Sequence, residues 1–301
     1  SIKPFLIWII QKIQVYLILF IILGIGVFIG LKIGKDILDI RDQAMVKVSK
    51  ATEETFRETL TSVVYDRNGV LISTMKTEKD VFYLSFNEIP EVVIDAFIAM
   101  EDRRFYDHNG VDYFAIVRAG ISILNNKAII QGGSTITQQL SRNVFLTHEV
   151  TIDRKIEEAF IARELEDKFS KKQILEFYIN NIYFSNGYYG IQAAAKGFFD
   201  IDIDELSLSQ TAFLCAIPNN PSTYDPLINI EATLQRRGLI LNAMLEEGFI
   251  DKIAYKEALR EEIILNRKIS QKNDYVETYV YYCATRELMK QKGFKFKYYF
   301  V

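Results

Sequence analysis

Apolar residues crowd the amino-terminal end of this chain and then settle into periodic patterns. Ile13 to Leu31 is a run of nineteen residues in which Gln14 is the only strongly polar side chain, and Phe5 to Ile10 extends it upstream. A helix of that length crosses a hydrocarbon core of roughly 30 Å. A cleaved signal peptide is the competing reading, but its apolar core is shorter and precedes a small-residue cleavage site. The pattern therefore predicts one retained transmembrane helix within residues 1–35. Gly26, Gly30 and Gly34 stand at GxxxG spacing, suited to a helix-packing face. Lys3 and Lys12 precede the span and Lys32, Lys35 and Arg41 follow it, so charge alone does not orient it.

Residues 36–60 are charged and helix-compatible, and predict a helical stalk. Residues 61–89 place β-formers around Asn68-Gly69, which predicts a hairpin and linker. From Pro90 the apolar spacing turns helical. Helices are expected over Glu91–Arg104, Tyr113–Leu124, Ser134–Asn143, Ile152–Phe169, Lys171–Asn180, Ile191–Gly197, Ser207–Ala216, Ile230–Glu247 and Asp251–Glu261. Ser170-Lys-Lys-Gln173 and Ser207-Leu-Ser-Gln210 read as capping boxes. A mainly α domain over 90–265 follows, with no repeats. Residues 266–301 turn aromatic and read as the start of a linker to a further domain.

The chain has 301 residues and a formal net charge of −3, so no basic field recommends nucleic acid as a partner. Its two cysteines, Cys215 and Cys283, and two histidines, His108 and His148, form no CxxC or zinc-ligand spacing. Cys215 reads as a core residue.

The candidate chemistry lies in three places. Gln131-Gly-Gly-Ser-Thr-Ile-Thr-Gln-Gln-Leu140 joins two glycines to a dense set of hydrogen-bonding side chains, suited to a sugar or phosphate. Its plainer reading is a turn in which Ser134 or Thr135 caps the next helix. The carboxylate pairs Glu101-Asp102 and Glu157-Glu158 flank it. Helical phase puts Glu101 at the end of the stripe Ile94, Phe97, Ile98, where partial desolvation suits a carboxyl to proton transfer. Asp102 falls nearer Asp95. Glu158 aligns with Lys155, Ile161, Ala162 and Leu165, whereas Glu157 shares a solvated row. The competing reading is a pair of buried ion bridges, Glu101 with Arg104 and Glu158 with Lys155. Arg142, Arg154 and Lys155 form a basic cluster matched to phosphate. The aromatic run Phe177–Gly190 reads as a cleft wall or as core. Ser73-Thr-Met-Lys76 matches an SxxK signature by chance, since it falls in an expected strand and no KTG follows.

Taken together, these blocks resemble the family 51 glycosyltransferases, the peptidoglycan polymerases of bifunctional (class A) penicillin-binding proteins and their monofunctional relatives. Glu101-Asp-Arg-Arg-Phe-Tyr-Asp-His-Asn-Gly-Val-Asp112 resembles the first motif and Gly132-Gly-Ser-Thr-Ile-Thr-Gln-Gln139 the second. Arg154-Lys-Ile-Glu-Glu-Ala159 resembles the third; Ser170–Glu176, Asn181–Phe184 and Ala216–Pro226 resemble the later blocks. Their order over residues 61–265 is more specific than any one of them.

The resemblance implies a lysozyme-like lobe with a membrane-associated jaw near Phe114–Val150. It implies that Glu101 and Glu158 are catalytic, Glu101 as general base and Glu158 in an electrostatic, orienting role. Asp102, Phe105, His108, Ser134, Thr135, Gln138, Gln139, Arg142, Arg154 and Lys155 are the implied substrate-binding residues. The implied reaction polymerises lipid II into β-1,4 glycan strands. It proceeds with inversion and release of undecaprenyl pyrophosphate, outside the cytoplasmic membrane of a single-pass protein. Lipid II, the nascent strand, the bilayer, the inhibitor moenomycin, and cell-wall or division proteins are the implied partners. No metal motif is visible, although Mg2+ or Mn2+ could bridge the pyrophosphate. Two positions depart from the family pattern: its usual glycine is Ser185 here, and a basic residue before the third motif is Val150. A glycan-cleaving lysozyme-like enzyme and a catalytically silent membrane scaffold are the alternatives.

Overall fold

The computed structural model describes residues 30–57, 62–65, 71–75, 80–124, 133–147, 149 and 151–266. The expected transmembrane span lies almost wholly outside these, as do the Asn68-Gly69 turn, residues 125–132 of the expected jaw, His148, Val150, and the tail from residue 267. Among the described residues no helix is long and apolar enough to cross a membrane.

The described part is mainly helical. Helix α1 (residues 30–50) leads to a short 3-10 turn, Glu53–Phe56. Strands β1 (Ser62–Tyr65) and β2 (Leu71–Met75) pair antiparallel, as the flanking β-formers predict. Ser73 lies on β2, so its SxxK match stands on a strand. Strand β3 (Asp80–Val81) then leads into α2 (Glu91–Glu101), α3 (Tyr113–Leu124), α4 (Ile136–Phe145), α5 (Ile152–Lys168) and α6 (Lys171–Asn181). Strand β4 (Tyr188–Tyr189) precedes α7 (Ile191–Phe199), α8 (Leu208–Ala216), α9 (Ile230–Glu246) and α10 (Lys252–Arg260). The parallel pairing of β3 with β4 has no signal in the sequence, since two residues show no alternation.

The expected caps form. Ser170 and Ser207 each accept from the backbone N–H three residues on, while Gln173 and Gln210 return the bond. Helix α8 is buried along most of its length between α2 and α9, and α4 packs on α5 and α6. Cys215 is part of that core, where burial pushes its thiol well above its ordinary range. Phe177, Tyr178, Ile179, Ile182 and Phe184 are buried too, so the first half of the aromatic run is core, while Tyr183, Tyr188 and Tyr189 are half-buried.

The expected stalk is not a free rod. The α-helix stops at residue 50, and Ala44, Val48 and Phe56 enter the core. Phe56 stacks on Phe177 with ring centroids 4.0 Å apart, and a buried ring of this size contributes roughly 3 kcal/mol. Lys168 Nζ donates to the carbonyls of Val48 and Ser49, and Arg57 to Glu176. Residues 44–57 are thereby fastened to α5 and α6.

Candidate active site

Helix α2 ends at Glu101, three residues earlier than its periodicity predicts. The cause is Asp102, which leaves helical geometry at φ −158° and ψ 73°. Its buried carboxylate accepts the Ile136 backbone N–H at 3.0 Å, at the start of α4, and faces His108 Nε2 at 2.9 Å. A carboxylate at a helix N-terminus meets unsatisfied N–H groups and a favourable dipole. Asp102 therefore does not continue the helical row toward Asp95, and it braces the first motif to the second. His108 is buried beside it. Phe105 lies fully inside the core, edge-on to His108 and under the Lys171 ammonium. Its ring is packed inside the core beside the first motif, where it supports the positions of His108 and Lys171.

At Gly110, φ is +83° and an added Cβ would meet the Ala162 backbone at 2.7 Å. Glycine alone lets the first motif lie this close to α5. The Gly110 carbonyl then accepts the Thr135 hydroxyl at 2.6 Å. Thr135, not Ser134, is the cap of α4, and Gln138 closes its capping box. Thr135 and Gln138 thus shape the second motif from within.

The Glu101 carboxylate is held from two sides. Gln139 Nε2 donates to Oε2 at 2.8 Å, and Arg236 Nη2 donates to Oε1 at 3.3 Å. Because a carboxylate only accepts, Gln139 must present its amide N–H, leaving its oxygen to the Tyr178 hydroxyl at 3.2 Å. Burial, with the nearby Glu101 charge, pushes Tyr178 well above its ordinary range, so it keeps the proton it donates. The partner of Glu101 is Arg236 on α9. Arg104, its expected bridge partner, pairs with Asp107 and Asp112 instead.

Glu158 is 0% exposed on α5. Its Oε2 accepts from Arg154 Nη1 at 2.9 Å, one turn back, and its Oε1 from Lys155 Nζ. Lys155 also donates to Ser134 Oγ at 2.8 Å. Two cations on one carboxylate leave net positive charge, and Lys155 remains 44% exposed. Glu158 is sealed from solvent and holds both cations in place. Arg142 stands one turn beyond Gln139 on α4, half-buried.

Beside these groups lies a small polar cleft. Glu101 and Asp102 line it from the end of α2, Ser134 and Thr135 from the start of α4, and Asp112 and Arg118 from α3. Arg236, Arg118 and Asp112 carry no expectation from the sequence as site residues. Asp112 caps α3 by accepting the N–H of Phe114 and Ala115, a signal visible as aspartate before an apolar run. Beside the cleft, α3 exposes Tyr113, Phe114, Ile116 and Val117, with Phe114 at 71%. Arg104 lies over the Phe114 ring at 4.6 Å. Among the described residues no group of three or more His, Cys, Asp and Glu side chains could hold a metal.

Comparison with known proteins follows the same residues. The family model described as Transglycosylase matches residues 68–245, more than half of the chain. Penicillin-binding protein 1A of Aquifex aeolicus is 47% identical over 225 residues, covering 73% of this chain and 31% of its own. Penicillin-binding protein 4 of Bacillus subtilis is 37% identical over 288 residues, covering 94% and 46%. The chain thus spans less than half the length of these relatives. A crystal structure of penicillin-binding protein 1A from Haemophilus influenzae covers 77% of this chain and 24% of its own, at 23% identity. Its TM-score of 0.43 is too low to carry a fold assignment. The family match holds both acid-bearing blocks and the polar loop between them, and on it the chain belongs to the transglycosylase family, the family 51 glycosyltransferases its motifs resemble.

Proposed function

We propose that this chain is a peptidoglycan glycosyltransferase that joins lipid II units into β-1,4 glycan strands at the outer face of a bacterial membrane. One observation carries the reading. An oriented carboxylate, Glu101, lines a cleft that Lys155-bound Ser134 also lines, beside an exposed apolar helix. In this reading the lobe is lysozyme-like, and α3, with its exposed apolar side chains, belongs to a jaw that rests on the bilayer.

In this reaction the acceptor sugar's 4-hydroxyl oxygen attacks the anomeric carbon of the growing chain. Glu101 accepts the hydroxyl proton, through a lone pair that neither Gln139 nor Arg236 occupies. The bond from the anomeric carbon to the pyrophosphate oxygen breaks, and undecaprenyl pyrophosphate leaves with the electron pair. Attack on the face opposite the leaving group inverts the centre. Lys155, Arg154 and Arg142 receive the developing negative charge, in the way preorganised cations stabilise a transition state. A Mg2+ or Mn2+ ion, were the reaction to use one, would add to the positive charge that Lys155, Arg154 and Arg142 offer the leaving group. Tyr113, Phe114, Ile116 and Val117 bury their exposed faces in the interface and keep the cleft where a membrane-held pyrophosphate emerges.

A glycan hydrolase needs neither the cations nor the apolar face, and a silent scaffold needs no oriented carboxylate. The full chain in detergent should polymerise labelled lipid II, with moenomycin blocking it. Glu101→Gln cannot accept the proton and should lower kcat by at least about 10²-fold. Cleavage of preformed glycan, or polymerisation by folded Glu101→Gln at the unaltered rate, would refute this reading.

A further inference from the structure

We propose that Arg236 is the residue that positions the Glu101 carboxylate for proton transfer, acting from α9 across the core. This inference rests on the glycosyl-transfer reading above. Arg236 is buried, with its guanidinium over the Tyr224 ring at 5.2 Å and its Nη2 on Glu101 Oε1. Among the described residues, Glu101 is its ion-pair partner and it is the ion-pair partner of Glu101.

Stability does not account for this pair. A buried ion pair is roughly neutral against apolar residues of the same volume, because desolvation offsets the attraction. The neighbour of Arg236 shows the structural alternative. Arg237 Nη1 donates to Ser209 Oγ at 2.9 Å and to the Glu261 carbonyl at 3.0 Å, and its Nη2 to the Leu259 carbonyl at 3.3 Å. It ties α9 to α8 and to the end of α10 and touches no candidate site residue. Of two adjacent buried arginines, one staples helices and the other has its guanidinium on the proposed base.

The geometry gives Arg236 a task. A carboxylate offers about four lone-pair directions. Gln139 and Arg236 occupy one on each oxygen, which fixes rotation about the terminal bond and leaves the others for the cleft. Gln139 is itself oriented by the neutral Tyr178 hydroxyl, so it supplies direction without charge. Arg236 supplies a charged donor to the other oxygen, Oε1, at 3.3 Å. Without it the carboxylate can turn about a single hydrogen bond, and attack geometry is lost while substrate binding is kept.

The test uses the full chain and lipid II, with kcat, KM and thermal melting measured for Arg236→Met, Arg236→Lys and Arg237→Met. Arg236→Met should lower kcat by about 10²-fold, as loss of one preorganised donor does, with KM within about twofold. Arg236→Lys should restore part of kcat through its charge. Arg237→Met should lower the melting temperature and leave kcat of the folded protein unchanged. An unchanged kcat in folded Arg236→Met overturns the proposal, and so does a loss confined to KM. If the unaltered chain makes no polymer, the reaction reading fails instead. The positioning is then read by selective 13C labelling: the Glu101 carboxyl signal should move in Arg236→Met and not in Arg237→Met. A stationary signal refutes the positioning whatever the reaction.

Discussion

Replacing Glu158 by glutamine isolates what a sealed carboxylate contributes to the stability of the cation cluster around it. The amide keeps the volume but loses the charge, and turns an N–H toward Arg154 or Lys155. Breaking a buried pair by removing one partner costs about 3–5 kcal/mol. Lys155 is 44% exposed, so water can take over its ammonium and its share falls to the surface value of about 0–1 kcal/mol. Arg154 is the main loser: its side chain is 15% exposed and its Nε already lacks a partner. The cost should therefore lie near the lower end, about 3 kcal/mol. For a domain of this size that lowers the melting temperature by about 6–12 °C. Glu157→Gln is the matched control, because Glu157 pairs with a Lys47 that is 41% exposed, and its loss should cost less than about 1 kcal/mol. Thermal unfolding followed by circular dichroism compares the two. Equal melting temperatures for both variants would refute the assignment of Glu158 as the anchor of the cation cluster.

Two further outcomes follow from backbone strain and from burial. Ser185 holds φ at +68°, where glycine is at ease, and its hydroxyl donates to the buried Asp225 at 2.7 Å. Ser185→Ala keeps the strain and loses the bond, and should cost about 2 kcal/mol, whereas Ser185→Gly relieves the strain and should cost less; urea unfolding that ranks them the other way would refute this account. Burial, with the Glu91 charge nearby, pushes the Asp95 carboxyl up to about 6. The folded state then holds this proton to higher pH than the unfolded chain does, so its contribution is full below about pH 4 and is lost as pH rises through 6. Asp95→Asn should remove that downward slope from the stability profile, and identical profiles for both proteins would count against it.

What could be read from the residues was what local geometry decides. Capping boxes at Ser170 and Ser207 work within one turn, so their pattern is enough. Helical phase separated Glu158 from Glu157 because α5 runs unbroken through both. The same reasoning failed at Asp102, because a long-range bond to Ile136 ends α2 before the phase can apply. The burial of Phe105 was not legible either, since a ring inside a motif gives no sign of whether it faces the cleft or the core. Arg236 stands 135 residues from Glu101, and no periodicity connects α2 with α9. Nor does the charged composition of residues 36–60 disclose that Phe56 stacks in the core.

The two acids that spacing singled out share a chemistry but not a task. Glu101 has a half-satisfied carboxylate on a cleft wall, so its remaining lone pairs are available to a hydroxyl. Glu158 is sealed and meets two cations, so its charge is spent within the protein. A pyrophosphate leaving group needs cations that are already in place when the bond breaks, since moving flexible side chains then would add to the barrier. Two adjacent cations repel one another, and a sealed carboxylate beneath them is what lets both stay. In the proposed reaction the base must keep lone pairs open to the cleft, whereas the anchor need keep none. Exchanging their environments would disable both, and so neither acid can stand in for the other.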